Sequence, residues 1–361
     1  MIPKAIFQLV QCPTCGANQL YITEKEGLKG LYCQACTNLY PFEAGYLDLM
    51  PRGPAFAYQS KYVLEEEDLA AELDYRALAP PLLAAGVRNN ALRRLMNFQP
   101  GDLVLDNGCG NGRFAAWNAA AVALMVGSDP ASLFADAALE QVALAKADAR
   151  TLPFRPASFD KAFSLDVLEH FPRDVLERYL QETARVLRPG GRMLIFSNTR
   201  ERSPLQPLID LSRKASRFLV RAGVYDFERE TRRKADHLKA LATWEEVLEV
   251  MAQAGLKPVK VVFWNSLFTT FVEHLVMKLG EVVFGRSPKR TPEVGPTSAA
   301  QAPPEKHLCK ELRARQRLRQ QITKRSLTYF ALLAITSLME LDLWLFGWLR
   351  CGSYFLVVEK L

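Results

Sequence analysis

Residues 104–112 read V-L-D-N-G-C-G-N-G, an apolar run that passes directly into a glycine-rich turn. The run is typical of a buried parallel strand, and its glycines allow both a tight turn and the close approach of a ligand. A helical pattern begins at Arg113, so the free N–H groups of the first helical turn would face that ligand. Alone, a G-x-G-x-G turn does not separate a nicotinamide site, a flavin site or another nucleotide site.

A second apolar run at residues 123–127 leads into Ser128-Asp129-Pro130. Asp129 comes 23 residues after Asp106, which is the spacing expected of a carboxylate that accepts hydrogen bonds from ribose hydroxyls. Three further segments follow in order: A-D-A-R-T-L-P-F at residues 147–154, S-F-D-K-A-F-S-L-D-V-L-E-H-F at residues 158–171, and R-V-L-R-P-G-G-R-M-L-I-F at residues 185–196.

In this order and spacing, these segments resemble the class I S-adenosylmethionine-dependent methyltransferases, especially the branch that contains small-molecule, quinone and lipid methylases. The resemblance covers about residues 97–264. It implies an α/β fold with a Rossmann-like seven-stranded methyltransferase sheet. It also implies S-adenosyl-L-methionine as the cofactor and methyl transfer as the reaction.

The resemblance also assigns the cofactor residues. Asp106 and the glycine turn would face the methionine tail, and Asp129 would accept from both ribose hydroxyls. Asp148 would accept from the adenine amino group, although a turn-capping role is the alternative. Ser164 and Leu165 end the fourth strand, where the sulfonium would lie. The complete predicted set is Asp106, Gly108, Cys109, Gly110, Asp129, Pro130, Asp148, Ala149, Ser164 and Leu165.

Catalytic residues are harder to assign because methyl transfer from a sulfonium depends mainly on alignment. A general base helps only when the acceptor is a hydroxyl or a similar group. His170 and Asp166 lie just after the fourth strand, near the expected acceptor. Either could be the base, and the alternative for both is a structural or substrate-shaping role.

The N-terminus carries a second motif, Cys12-Pro-Thr-Cys15 and Cys33-Gln-Ala-Cys36, with 17 residues between the two pairs. Two C-x₂-C turns can direct four thiolates to one tetrahedral zinc ion, which leaves no open position for catalysis. Two disulfides are the alternative, disfavoured in a cytosolic chain. Residues 42–51 resemble the zinc ribbon of rRNA guanine methyltransferases, and also a ribbon that precedes many methylases of unassigned substrate.

The chain divides into five predicted regions: a zinc ribbon at 1–51, a helical lid or pre-core at 52–97, the methyltransferase core at 98–264 with a helical insertion at 199–240, an amphipathic and basic helical insertion at 265–352, and a final core strand at 353–361. Thr243 and Glu246 predict a capping box, and Gly255 predicts the end of that helix. Because 18 residues follow Asp129 before Asp148, the helix between them must be short.

The 265–352 insertion contains two apolar helical stretches, at 267–284 and 326–349, around a basic segment. The second is long enough to cross a bilayer, but it carries Glu340 and Asp342, and strand seven must return to the sheet. We therefore expect it to lie in a membrane surface, with basic neighbours and tryptophans at the headgroups. Packing as a cap or dimer interface is the alternative. The predicted apolar face is Leu332, Leu333, Trp344 and Trp348.

Composition supports a large cytoplasmic globular protein, with 49% hydrophobic residues, 24% charged residues and a net charge of +7. That charge favours an anionic partner surface, either RNA or anionic lipid. The leading hypothesis is methyl transfer to a lipid, quinone-like or isoprenoid acceptor at the inner face of a membrane. The alternatives are an rRNA or tRNA base methyltransferase and a non-catalytic cofactor-binding interaction protein. The sequence does not indicate an oligomeric state.

Overall fold

The computed structural model describes residues 2–25, 27–52, 76–225, 227, 238–285, 322 and 325–361. Residues 53–75 of the predicted helical lid or pre-core lie outside the described residues, and so do residues 286–321, which hold most of the basic segment of the 265–352 insertion.

The N-terminal region begins with a short 3₁₀ helix, Lys4–Gln8. A three-stranded antiparallel sheet follows, formed by β1 (Leu20–Lys25), β2 (Leu28–Cys33) and β3 (Leu39–Pro41). The next strand, β4 (Tyr46–Asp48), leaves this small sheet and joins the main one.

The main sheet has eight strands in the order β10-β11-β9-β8-β5-β6-β7-β4. All neighbours are parallel except β11, which runs antiparallel to both β9 and β10. The seven core strands are β5 (Leu103–Asn107), β6 (Leu124–Asp129), β7 (Ala143–Lys146), β8 (Phe159–Leu165), β9 (Leu187–Asn198), β10 (Leu256–Phe263) and β11 (Ser353–Lys360). The predicted seven-stranded Rossmann-like sheet is therefore confirmed, and the ribbon extends it by one strand.

The described helices are α1 (Leu83–Met96), α2 (Arg113–Asn118), α3 (Asp136–Gln141), α4 (Arg173–Val186), α5 (Gln206–Arg221), α6 (Trp244–Gln253), α7 (Leu267–Phe271), α8 (Lys278–Gly285) and α9 (Leu327–Phe346). A π-helical turn, Val272–Met277, joins α7 to α8. As predicted, α3 is short. The Thr243 hydroxyl accepts from the Glu246 N–H at 3.3 Å, and Gly255 follows α6 with φ 71°, so the predicted helix ends are present.

The ribbon shares the core of the main domain. Residues 46–48 of β4 pair in register with residues 144–146 of β7. Ile6, Val10 and Leu47 are fully buried, and Val10 forms an isolated bridge with Phe154. Burying these side chains removes apolar surface from water on both sides of the contact. The region at 1–51 is thus held to the domain by sheet pairing as well as by side-chain packing.

One acidic residue of α9 stabilises the packing of this region by hydrogen bonding to a neighbouring helix. Asp342 is fully buried, and its two oxygens accept from the Phe268 and Thr269 N–H groups, both at 2.9 Å. It therefore caps the start of α7, where backbone donors have no partner within the helix. On the neighbouring face, the Thr336 hydroxyl accepts from the Leu83 N–H at 2.7 Å and so ties α9 to α1.

Within the described part of the chain, Leu327–Phe346 is the one helix long and apolar enough to cross a membrane by length and composition. Its Asp342 is used inside the protein, and β11 follows it directly into the sheet. Leu332, predicted on the exposed apolar face, is 6% exposed and belongs to the buried side. Only one side of α9 contacts α1 and α7, so residues at other positions around this helix can be exposed.

Candidate functional site

The glycine turn after β5 has the backbone conformation that its sequence predicts. Gly108 and Gly112 have φ of 86° and 77°. A Cβ atom at Gly108 would lie 2.5 Å from the Val167 side chain, and one at Gly112 would lie 2.7 Å from the Ala138 Cβ. Side chains are therefore excluded both by conformation and by contact. The turn is fixed to β6 because the Gly108 and Cys109 N–H groups both donate to the Ser128 carbonyl.

Asp106 lies at the end of β5 and is 2% exposed. Its Oδ2 atom is buried and has no hydrogen-bond partner among the described residues. Burial, followed by the negative charge of Asp129, raises the pKa of Asp106 well above its usual range. A buried carboxylate oxygen without a donor is costly, so a cationic or N–H-bearing ligand group beside Oδ2 would stabilise it. The ammonium group of a methionine tail has that chemistry.

Asp129 ends β6 beside this turn and is 4% exposed. One of its oxygens accepts from the Gly110 N–H at 2.8 Å, and the other accepts from the Ala131 N–H at 2.9 Å. An ionised carboxylate offers about four lone-pair sites. The backbone contacts therefore orient the Asp129 carboxylate at the end of β6, and its role toward a ribose stays a prediction.

Asp148 follows β7 and is 1% exposed. Its position is tied to the same edge of the sheet because the Ala147 N–H donates to the Asp129 carbonyl at 3.0 Å. The carboxylate accepts from the Arg150 N–H at 2.8 Å and forms an ion pair with the Arg150 guanidinium. These contacts have the geometry of a turn cap, which is the alternative to adenine binding by Asp148. Adenine recognition by Asp148 and Ala149 stays a prediction.

The fourth core strand, β8, ends with the fully buried Ser164 and with Leu165, which is 7% exposed. Because β8 and β6 both lie parallel beside β5, their carboxyl ends meet at one edge. We call this edge, with Asp106, Asp129 and the glycine turn, the cofactor edge. Such edges form the ligand crevices of α/β sheets.

Asp166 comes next and has φ of 60°, an uncommon conformation for a residue other than glycine. Its carboxylate forms an ion pair with Arg88 of α1 at 2.8 Å. The Arg88 guanidinium also lies over the rings of Phe196 and Trp264, at 5.1 and 5.8 Å from their centroids. Cation–π contact and charge pairing together fix this arginine beside the end of β8. We call this the acceptor side of the cofactor edge, because the sequence predicts the acceptor here.

Sequence reasoning missed Arg88. The available signal was its position within the apolar stripe of α1, three and four residues before the buried Ala91 and Leu92. A charged side chain at such a position must find a partner in the interior.

The residues that follow form a short 3₁₀ turn, Leu168–His170. Glu169 is 2% exposed, and its carboxylate accepts from the Ser197 hydroxyl at 3.0 Å. Burial and the neighbouring charge of Asp166 raise the pKa of Glu169 to about 7. His170, one of the two candidate bases, is half-buried in the same turn. Glu169 is therefore a buried acid close to Asp166. A base role for Asp166 or His170 stays a prediction.

The four ribbon cysteines converge as the motif predicts. Their Sγ atoms all lie within 4.8 Å of one another, with 3.5 Å from Cys12 to Cys36 and 3.6 Å from Cys15 to Cys33. A tetrahedral zinc ion with Zn–S bonds of about 2.3 Å needs sulfur atoms about 3.8 Å apart. The donor set and spacing thus fit Zn²⁺, and none of the four cysteines is in a disulfide.

The groups around the ribbon thiols also suit a metal centre. The Asn38 side-chain amide donates to the Cys36 sulfur at 3.3 Å, and the Tyr40 hydroxyl lies 3.3 Å from the Cys12 sulfur. Hydrogen bonds to ligand atoms orient them and disperse their charge.

Comparison with known proteins identifies the central part of the chain. Residues 105–195 match the family model described as a methyltransferase domain. The chain is 33% identical over 151 residues to a tRNA (carboxymethyluridine(34)-5-O)-methyltransferase of Mus musculus, covering 40% of this chain and 22% of that protein. It is 35% identical over 117 residues to the 27-O-demethylrifamycin SV methyltransferase of Amycolatopsis mediterranei, covering 29% of this chain and 41% of that protein.

A similar solved structure is that of Haemonchus contortus phosphoethanolamine N-methyltransferase 2 with S-adenosyl-L-methionine. It has a TM-score of 0.41 and 19% identity, and the alignment covers 76% of this chain and 52% of that one. The chain spans well under half the length of the two curated relatives. Residues 105–195, which match the methyltransferase domain, contain Asp106, Asp129, Asp148 and Asp166.

Proposed function

We propose that the protein is an S-adenosylmethionine-dependent methyltransferase that methylates a hydrophobic acceptor, of the lipid, quinone-like or isoprenoid class, at the cytoplasmic face of a membrane. The observation that carries the choice of acceptor is an apolar surface built around the 265–352 insertion. The methyltransferase domain supports the reaction class, and the insertion supports the location.

The apolar surface belongs to a layer made of α5, α7, the π-helical turn, α8 and α9, which pack side by side. We call it the helical layer. Trp344 and Trp348 are 74% and 76% exposed, and Leu327 is 88% exposed. Its other exposed apolar side chains are Leu208, Leu211, Phe218, Phe271, Val276, Leu279, Phe330, Leu333 and Leu345. Exposed apolar side chains grouped on neighbouring helices favour an interaction site, and exposed tryptophans suit the headgroup region of a bilayer.

The helical layer is connected to the acceptor side of the cofactor edge. Trp264, which contacts Arg88, directly precedes the insertion, and its indole N–H donates to the Thr269 hydroxyl of α7 at 3.1 Å. Helix α1 carries Arg88 and also contacts α9 through Thr336. The helical layer is thus joined to Arg88, the partner of Asp166, through Trp264 and α1.

Within this proposal each group at the cofactor edge has a positional task. Asp106 and the glycine turn hold the methionine tail, and Asp129 orients the ribose. The bound cofactor supplies a methyl group that is already activated on a sulfonium. The protein then gains rate by aligning the acceptor with that group and by excluding water. Asp166 or His170 would remove a proton only from a hydroxyl-type acceptor.

Zinc belongs to the same proposal, as a structural ion held by Cys12, Cys15, Cys33 and Cys36. Four thiolates complete its coordination shell, so it supplies stability rather than chemistry. Removal of the zinc should therefore unfold the ribbon, and the bound metal measures that removal.

Flotation on vesicles of phosphatidylcholine and phosphatidylglycerol tests the membrane surface. Replacing Leu327, Phe330, Trp344 and Trp348 with serine should abolish co-flotation while leaving S-adenosylmethionine binding intact. A matched control replaces Tyr21 and Ile22, which are about half exposed on the ribbon, and should still float. Leu332 is left unchanged because it is buried. Wild-type protein that does not float on anionic vesicles would overturn the membrane assignment.

An RNA methyltransferase is the second candidate, favoured by the tRNA methyltransferase among the relatives. The name of the rifamycin methyltransferase instead points to a large natural product. RNA binding should weaken steeply as salt rises, since it releases counterions from the phosphates. RNA affinity that survives the four serine substitutions, together with absent flotation, would favour this candidate. Failure to bind S-adenosylmethionine would favour the non-catalytic alternative.

A further inference from the structure

An open cleft of about 770 Å³ lies between α5 and the π-helical turn. Its size falls within the range of small-molecule sites, about 300–1,000 Å³. The charged groups that line it are Asp210, Arg213, Lys214 and Arg217, and its ring-bearing wall is formed by Phe227 and His274. None of these residues belongs to the cofactor edge or to the ribbon.

Among the described residues that line the cleft, cationic side chains outnumber acidic ones. They are Arg213, Lys214 and Arg217 of α5, against the one carboxylate of Asp210. That carboxylate already accepts from the Gln206 amide at 2.8 Å and lies 3.4 Å from the Arg213 guanidinium. Arg213 and Arg217 are four residues apart and so project from the same side of the helix. Two guanidinium groups and an ammonium within about two helical turns suit a phosphate group, which accepts bidentate hydrogen bonds from arginine.

The cleft walls are held together by hydrogen bonds. The Tyr225 hydroxyl donates to the His274 carbonyl at 2.7 Å, and it also bonds the Ser216 hydroxyl at 3.2 Å. Ser216 is on α5 and His274 is in the π-helical turn, so one side chain links both walls. A preformed site loses less free energy in ordering its groups when a ligand binds.

The position of the cleft indicates what the rest of the ligand should be. Lys214 lies three residues after Leu211 and four before Phe218, both of which are exposed apolar members of the helical layer. The cationic row of α5 thus borders its exposed apolar row. A ligand phosphate in the cleft would place an attached acyl or isoprenoid chain alongside that apolar surface.

We infer that this cleft binds the phosphate headgroup of an amphiphilic molecule, as a site separate from the cofactor edge. The inference rests on the proposed function for the presence of a membrane, and it adds the chemistry of the headgroup. The same phosphate chemistry could come from a free phosphate ion, and the titrations below separate the two sources.

Calorimetric titration of the full chain with monomeric dihexanoyl phosphatidic acid tests the site. Arg217→Gln should weaken binding at least about tenfold, because a charge-assisted hydrogen bond is lost. Arg221→Gln removes the same charge from the same helix outside the cleft, and it should change the affinity by less than about twofold, since exposed charges are screened. Arg217→Lys, which keeps the charge but loses the planar fork, should fall between them. Equal losses for Arg217→Gln and Arg221→Gln would overturn the site.

Inorganic phosphate in the same titration identifies the source. The amphiphile should bind at least about fivefold more tightly, which is about one additional kilocalorie per mole from its chains. Equal affinity for inorganic phosphate would overturn the assignment to an amphiphile. Loss of single-stranded RNA binding in Arg217→Gln without any phosphatidic acid binding in wild type would assign the cleft to RNA instead. The tests of cofactor binding and of flotation use variants outside this cleft. A failure of the proposed function would therefore be distinguishable from a failure of the phosphate site.

Discussion

The cofactor edge buries polar groups, whereas the helical layer exposes apolar side chains. At the cofactor edge polar groups are buried, and the Oδ2 atom of Asp106 has no partner among the described residues. In the helical layer large apolar side chains are exposed, with Trp344 and Trp348 about three-quarters accessible. Each arrangement costs free energy in isolation. A polar ligand at the cofactor edge would satisfy the first arrangement, and the membrane contact proposed above would cover the second.

The comparison also shows what each region requires of the chain. The cofactor edge depends on backbone geometry, since Gly108 and Gly112 have no room for a side chain. The helical layer depends on long-range contacts, since Asp342 caps a helix that begins 75 residues earlier, at Leu267. Local sequence therefore specifies the first region much more strongly than the second.

The largest expected effect comes from removing the metal. Cys33→Ser should lose bound zinc and unfold the ribbon, because structural zinc contributes about 10–16 kcal/mol to folding of small sites. Since β4 pairs with β7 at the cofactor edge, S-adenosylmethionine affinity should also fall, while the helical layer should keep its hydrogen-exchange protection. Cys351→Ser, at a buried cysteine outside the cluster, is the control and should retain zinc. An unchanged melting temperature in zinc-free Cys33→Ser would contradict the shared core.

The second expected effect concerns Glu169, at the acceptor side of the cofactor edge. Burial, followed by the charge of Asp166, raises its pKa to about 7 from an ordinary value of 4.5, so the folded state binds the proton more tightly than the unfolded state. The free energy of unfolding should therefore fall by about 3 kcal/mol as the pH rises from about 4.5 to about 7. Glu169→Gln should remove this decline, as measured by urea unfolding at pH 5 and pH 8.

Glu140→Gln, an exposed acid on α3, serves as the control for that experiment and should keep the wild-type decline. Equal losses of unfolding free energy in Glu169→Gln and wild type between the two pH values would contradict a Glu169 pKa raised by burial.

Much of the cofactor edge could be predicted from sequence because its determinants are local. A strand, a glycine turn and an acid at a fixed spacing each leave a short pattern, and the short α3 followed from the distance between Asp129 and Asp148. The capping box at Thr243 is equally local. The ion pair of Arg88 with Asp166 joins residues 78 positions apart, and no short pattern contains it.

The third expected effect concerns the cofactor. Asp129→Ala should weaken S-adenosylmethionine binding by about 1–3 kcal/mol, through lost charge-assisted hydrogen bonds. Part of this loss should come from the glycine turn, since Asp129 also accepts from the Gly110 N–H. Asp136→Asn on α3 should bind normally in the same calorimetric assay. A folded Asp129→Ala protein with wild-type affinity would remove Asp129 from the site.

The ribbon strand and the helical layer were less predictable for physical reasons. Strand β4 has three residues, too few for a periodic pattern, and its pairing with β7 joins distant parts of the chain. The apolar stretch of α9 fits both burial and membrane contact, because each favours the same residue types. Its buried side became clear only from contacts such as that of Thr336 with Leu83.

The smallest expected effect concerns the helical layer alone. Asp342→Ala should destabilise the chain by about 1–2 kcal/mol, the usual cost of losing a helix cap. It should increase hydrogen exchange in α7 and leave S-adenosylmethionine affinity unchanged. Ser337→Ala, at an exposed residue of the same helix, should do neither. A large loss of cofactor affinity in Asp342→Ala would show that the two regions are not separable.

The proposed reaction transfers a methyl group from S-adenosylmethionine to a hydrophobic acceptor. Untargeted mass spectrometry of lipid and RNA fractions, from cells with and without the protein, measures that transfer directly. In cells lacking the protein we expect one species of the lipid fraction to be lighter by the mass of one CH₂ group, with the RNA nucleosides unchanged. Wild-type protein should restore the missing group, and Asp129→Ala should not. A change confined to RNA nucleosides would contradict methyl transfer to a hydrophobic acceptor.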